Sequence, residues 1–223
     1  EPLEPLEPLE PLEPLEPGTP SPLWESSVLT TLSSLQSTPP DCYLLVGTER
    51  VPAHRAALLL NSSLLSSPDV THNQVDLDPE FGADIHLVRE IVRSFYHGNL
   101  AVSQENMRHV YKFAKCYNVS WIRELARGVF GEYLQGGGGG GDTTTSERWV
   151  EVAKFAQFLG CEELSELCCG YLTTEILADI SRDDIIADLG YHTIKAISLS
   201  NSLVVPEKDV FGFVMGWLGK HSS

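Results

Sequence analysis

Asp41 and His54 come closest in this sequence to an acid–base pair, because an imidazole titrates near neutrality and a carboxylate can orient it. The surroundings do not complete such a site. No Ser or Cys stands in a nucleophile-elbow context, and the six glycines of 136–141 lack the strand before and the Lys after that a phosphate loop requires. The expected role of His54 is that of a hydrogen-bonded polar position at a domain edge. The adjacent thiols Cys168 and Cys169 could sense redox state, yet they lie in an apolar stripe with Leu164, Leu167 and Leu172 and have no base beside them. Core packing is expected there, and core or hinge packing at Trp121, Trp149 and Trp217. The five cysteines, which also include Cys42, Cys116 and Cys161, form an odd set with no C-x-x-C pair, and none of the seven His pairs with a Cys at ligand spacing. No catalysis, cofactor or metal is expected. The compartment should be reducing: the cytoplasm, with the nucleus as the alternative.

Composition narrows the partners. The chain has 223 residues, 42% of them hydrophobic, enough to bury one large core or two modest ones. Its net charge is −16, but six Glu with no Lys or Arg lie in the first twenty residues, so the remainder carries −10. Such acidity argues against nucleic acid, whose phosphates need clustered Lys and Arg. No apolar run reaches the roughly 18–20 residues of a membrane helix, so no membrane partner is expected.

The elements follow from punctuation and period. Residues 1–21 are a low-complexity tail built on Glu-Pro-Leu, in which Pro at every third position blocks helix and sheet and favours polyproline II. Trp24, Val28, Leu29, Leu32 and Leu35 recur at helical spacing and end at Pro39-Pro40. Strand-like residues 42–46, a turn over 47–50 and an extended piece from Val51 make a hairpin. The Ala- and Leu-rich run 53–65, a short extended segment at 75–77 and a helical pattern through Ile85, Val88, Ile91, Val92 and Phe95 complete a small mixed sheet clasped by helices. Residues 136–146 read as a Gly-rich linker.

The second half contains a repeat. At an offset of 42, Val110, Lys112, Phe113, Ala114, Glu124, Leu125 and Gly128 meet the same residue at Val152, Lys154, Phe155, Ala156, Glu166, Leu167 and Gly170. Each copy reads as two helices with a turn at 118–120 or 160–162, and stacking is expected because one such pair cannot bury its apolar face alone. Three further helices are expected at 174–180, 182–189 and 207–218, the second starting with a capping box at Ser181 and Asp184.

Two strings then carry a resemblance. Asp41-Cys42-Tyr43-Leu44-Leu45-Val46 with Val51-Pro52-Ala53-His54-Arg55-Ala56-Ala57-Leu58, and Phe95-Tyr96-His97-Gly98-Asn99-Leu100 with Ala114, resemble a BTB (POZ) domain. Residues 147–218, with Leu203, Val204, Val205, Glu207, Val210, Phe211 and Trp217 near the end, are similar to a BACK domain. This order resembles that of the Kelch-like cullin-3 adaptors. It implies an α+β BTB domain over 22–135 and an all-α domain of helical pairs over 147–223. It also implies that Asp41, His54 and Arg55 tie the hairpin to the helices. A homodimer is expected through Trp24, Val28, Leu29, Leu32 and Leu58, because the stripe of 24–35 is too apolar for a solvated helix and pairing would bury it against the same stripe and the 56–60 helix of a second copy. The resemblance implies cullin-3 contacts through Leu64, Leu65, Tyr96, Asn99, Tyr111 and Lys115.

The sequence departs from the family in three places. Ser62-Ser63-Leu64-Leu65 replaces a Ser-Pro-Tyr-Phe-like run, and Ala126 stands where a cysteine is common. The stretch 66–74 contains no Glu, whereas the family carries an apolar-x-Glu anchor there, so cullin-3 binding is expected to be weak. The expected function is a homodimeric, non-catalytic adaptor of a cullin-3 type ubiquitin ligase, its cargo held by a domain outside this chain. The alternative is a structural or transcriptional scaffold that self-associates without a cullin.

Overall fold

The structure is a computed structural model, described here for residues 22–66, 70–71, 73–77, 84–136, 144–181, 186, 189–201 and 203–221. The Glu-Pro-Leu tail, most of the Gly tract and Asp184 lie outside the described residues.

Helix α1 (Pro22–Leu35) precedes a hairpin of β1 (Cys42–Val46) and β2 (Glu49–Ala53). Val46 pairs with Glu49, so the turn is only Gly47-Thr48, shorter than expected, and Gly47 takes a φ of 61°. Pro52 is tolerated because β2 is an edge strand. Helix α2 (Arg55–Asn61) and a 3-10 turn (Leu64–Ser66) lead to β3 (Val70–Thr71) and β4 (Gln74–Asp76). The sheet order is β2-β1-β4-β3, with β1 antiparallel to β2 and parallel to β4. Helix α3 (Ile85–His97) begins where Asp84 accepts a bond from the His86 N–H at 2.9 Å, and it buries Val88, Ile91, Val92 and Phe95. It stops at Gly98, whose φ is 69° and whose Cβ, if present, would lie 3.1 Å from Leu29 of α1. Leu29 therefore leans on Gly98 and is half-buried.

Four helices then realise the repeat: α4 (Met107–Cys116), α5 (Ser120–Leu134), α6 (Thr145–Phe158) and α7 (Glu162–Gly170). The two turns are equivalent atom for atom. Asn118 (φ 53°) and Gly160 (φ 56°) are left-handed, and Val119 N–H reaches Ala114 O at 2.8 Å as Cys161 N–H reaches Ala156 O at 2.9 Å. This is the helix-ending motif that Asn and Gly permit. Helices α8 (Thr174–Ile180), α9 (Tyr191–Leu199) and α10 (Glu207–His221) follow. The capping box expected between Ser181 and Asp184, with most of the helix expected at 182–189, lies outside the described residues; at Ser181 itself the hydroxyl donates to Leu177 O at 2.5 Å where α8 ends. A capping box opens α6, between Thr144 and Glu147. Trp149 and Trp217 are buried, their indole N–H groups bonded to Cys168 O (2.8 Å) and Leu189 O (2.6 Å).

Candidate interaction faces and the junction between the halves

The hub at Asp41, His54 and Arg55 is structural. Asp41 Oδ1 accepts the Arg55 N–H at 2.7 Å, binding the start of β1 to the first turn of α2. The Tyr96 hydroxyl accepts the His54 backbone N–H at 2.9 Å and lies 2.9 Å from Nδ1, while Nε2 is 3.0 Å from Thr38 Oγ1. Thr38 Oγ1 itself donates to Leu35 O at 2.7 Å. These bonds fit the Nε2–H tautomer, with Tyr96 donating to Nδ1. Both ring nitrogens are thus engaged by groups other than Asp41, so the acid–base pairing does not form.

Beside this hub α1 and α2 leave an apolar groove of about 320 Å³ lined by Val28, Thr31, Leu32, Leu35, Ala56 and Leu60. Leu59 and Leu60 are 60% and 66% exposed. Two of the expected interface residues are corrected here: Leu32 and Leu58 are 3% and 0% exposed and serve the chain's own core. The side chain of Trp24 lies outside the described residues. Leu59 and Leu60 belong to the 56–60 helix expected at the interface, but Leu58 was the leucine singled out, because a run of three leucines in a short helix has no period that selects its outer face.

The expected cullin-facing set is largely corrected. Leu64, Tyr96 and Tyr111 are buried, leaving Asn99 exposed and Leu65 half-buried. Tyr111 and Lys115 are occupied by the second repeat copy. Lys115 Nζ donates to the carbonyls of Leu159 and Gly160 at the end of α6, where a helix carries partial negative charge. The Tyr111 hydroxyl lies 3.0 Å from Cys161 Sγ and donates to Glu163 at 3.3 Å. Burial, reinforced by Cys161 and Glu163, raises the Tyr111 pKa. Arg123 Nε lies 3.4 Å from Glu163, an ion pair without hydrogen-bond geometry.

The other end of the junction is held by Glu151, which pairs with Arg108 and accepts from the Tyr133 hydroxyl at 2.6 Å. Burial acts to raise the Glu151 pKa, but the bonds from Tyr133 and Arg108 outweigh it and leave it lowered. Between the two ends Tyr111 meets Phe130 edge to face, with ring centroids 5.8 Å apart, and Phe130 stacks on Phe155 at 5.7 Å.

Cys42, Cys168 and Cys169 are unsuited to redox chemistry. Burial raises Cys168, and it lifts Cys42 and Cys169 to about 11, so thiolate is scarce near neutrality. Among the described residues no His, Cys, Asp and Glu cluster could hold a metal, and no helix is long and apolar enough to cross a membrane.

Comparison with known proteins agrees with this architecture. Residues 32–129 match the model of the BTB/POZ domain, and residues 149–223 match that of BACK, BTB And C-terminal Kelch. Among solved structures, the chain is similar to the BTB (Tramtrack and Bric a brac) domain of human Gigaxonin, at 18% identity over 51% of this chain and 97% of that one, with a TM-score of 0.39. It is also similar to the BTB domain of zebrafish PATZ1, at 20% identity over 50% and 97%, with a TM-score of 0.41. No curated protein matches the sequence.

Proposed function

From the premise that the chain is a BTB/POZ domain continued by a BACK domain, a protein-interaction module, we propose that it is a homodimeric, non-catalytic adaptor of a cullin-3 type ubiquitin ligase. The observation that carries this reading is the α1–α2 groove with Leu59 and Leu60 exposed beside it. Adjacent exposed leucines next to an apolar groove are a liability on a monomer and suit a face that a second copy covers. Five free cysteines fit a reducing compartment, the cytoplasm or the nucleus. Cargo would be held by a region other than these two domains.

Cullin binding in this reading is weak. Asn99 and Leu65 are the expected contacts that remain accessible, and the missing apolar-x-Glu anchor costs about 2 kcal/mol, roughly a thirtyfold loss of affinity. The same burial of Leu64, Tyr96 and Tyr111 favours the second reading, a scaffold that self-associates without a cullin. Calorimetry with the cullin-3 N-terminal region separates the two. The adaptor reading expects micromolar binding that weakens at least tenfold in Asn99→Arg or Leu65→Asp, whereas no heat at about a hundred micromolar leaves the scaffold.

A further inference from the structure

A cleft of about 540 Å³ lies between α7 and α9, with the end of α6 as its floor. That volume is within the range of sites that hold small ligands or a few residues of peptide. Its geometry is fixed by Gln157 of α6, whose Oε1 accepts the Gly190 N–H at 2.9 Å and the Thr193 hydroxyl at 3.1 Å, tying the first turn of α9 to α6. A Cβ at 190 would fall 2.3 Å from the Gln157 amide nitrogen, so any larger residue there would displace the Gln157 side chain.

The walls carry opposite charges. Glu162 and Glu166, four residues apart and so on one face of α7, line one side, and Lys195 of α9 lines the other. Among the described residues no hydrogen bond or ion pair engages these three side chains. The apolar lining comes from Ala156, Ala196 and Leu199, and Leu199 is 68% exposed.

We propose that this cleft binds an extended peptide segment in which a basic and an acidic residue flank apolar ones. The basic side chain pairs with Glu162 and Glu166, the acidic one with Lys195, and the apolar residues cover Leu199 and Ala196. Segments of a single charge sign are disfavoured, since an all-basic one meets Lys195 and an all-acidic one meets the two glutamates. The proposal rests on the chain being an interaction module, but it uses neither the α1–α2 face nor the cullin-facing residues. Its failure would leave those readings intact.

The test is a titration of the full chain, with its Ala and Leu methyls labelled for NMR, against four short peptides that differ only in their cores: Arg-Leu-Leu-Asp, Ala-Leu-Leu-Ala, Asp-Leu-Leu-Asp and Arg-Leu-Leu-Arg. Arg-Leu-Leu-Asp should shift the Ala196 and Leu199 methyls saturably and bind about fivefold tighter than the others, as expected of partly exposed charge pairs. Lys195→Glu should move the preference to Arg-Leu-Leu-Arg, and the double variant Glu162→Lys, Glu166→Lys to Asp-Leu-Leu-Asp. Distant methyls report whether each variant is folded, and Lys195→Gln replaces any that is not, with the expectation that preference for the acidic end is lost. Absence of shifts at Ala196 and Leu199 with every peptide, equal affinity for all four cores, or a ranking that the charge variants leave unchanged would overturn the proposal.

Discussion

Tyr111 illustrates how burial can reassign a residue. Its position in α4 suits a surface contact, yet its ring packs against Phe130 and its hydroxyl is shared by Cys161 and Glu163 of the next repeat copy. Tyr111→Phe should therefore lower stability by about 1 kcal/mol and Tyr111→Ala by roughly 3–5, read as denaturation midpoints at constant slope, with no selective loss of a partner. Glu151 gives a pH-dependent counterpart. Its folded pKa lies below the usual 4.5, so its contribution is fully present above 4.5 and is lost as pH falls through the lower folded value. Glu151→Gln should be less stable than the parent at neutral pH, and the gap should close in the acidic arm below 4.5. A gap that stays constant with pH would assign Glu151 no such role. The family resemblance pointed to Asp41, His54 and Arg55, whereas the residue pattern alone could not separate Leu58 from Leu59 and Leu60. That choice is made by the way α2 sits on α3, which no local period encodes.

At the scale of elements, the repeat was legible because identical residues at a fixed offset must meet equivalent neighbours. The structure extends the equivalence to the left-handed residues Asn118 and Gly160. Gly160→Ala should cost about 1 kcal/mol, because a Cβ is disfavoured at its φ of 56°, whereas Asn118→Gly should be tolerated; thermal melts of the two variants check this. Helix α9 was not anticipated. Its Thr193, Ile194 and Ile197 are β-branched, its N-cap is Gly190, and what holds it is the long-range bonding from Gln157. Strand β3 is two residues long and exists through pairing with β4, which no local signal predicts.

For the whole molecule, the Gly tract suggested two bodies joined by a flexible linker, whereas the two halves are stacked through contacts of α4 and α5 with α6 and the start of α7. Their relation is set by Lys115, Tyr111 and Glu151, so trimming the tract by a few glycines should move stability by well under about 1 kcal/mol, checked by denaturant titration. The most direct test of the central claim, self-association through the α1–α2 groove, is light scattering on the full chain at micromolar concentration. The parent should show twice the 24.5 kDa chain mass, and Leu59→Glu with Leu60→Glu should show the single mass with an unchanged far-ultraviolet dichroism spectrum. A parent that stays at 24.5 kDa at tens of micromolar, or a folded double variant that stays dimeric, would contradict the account.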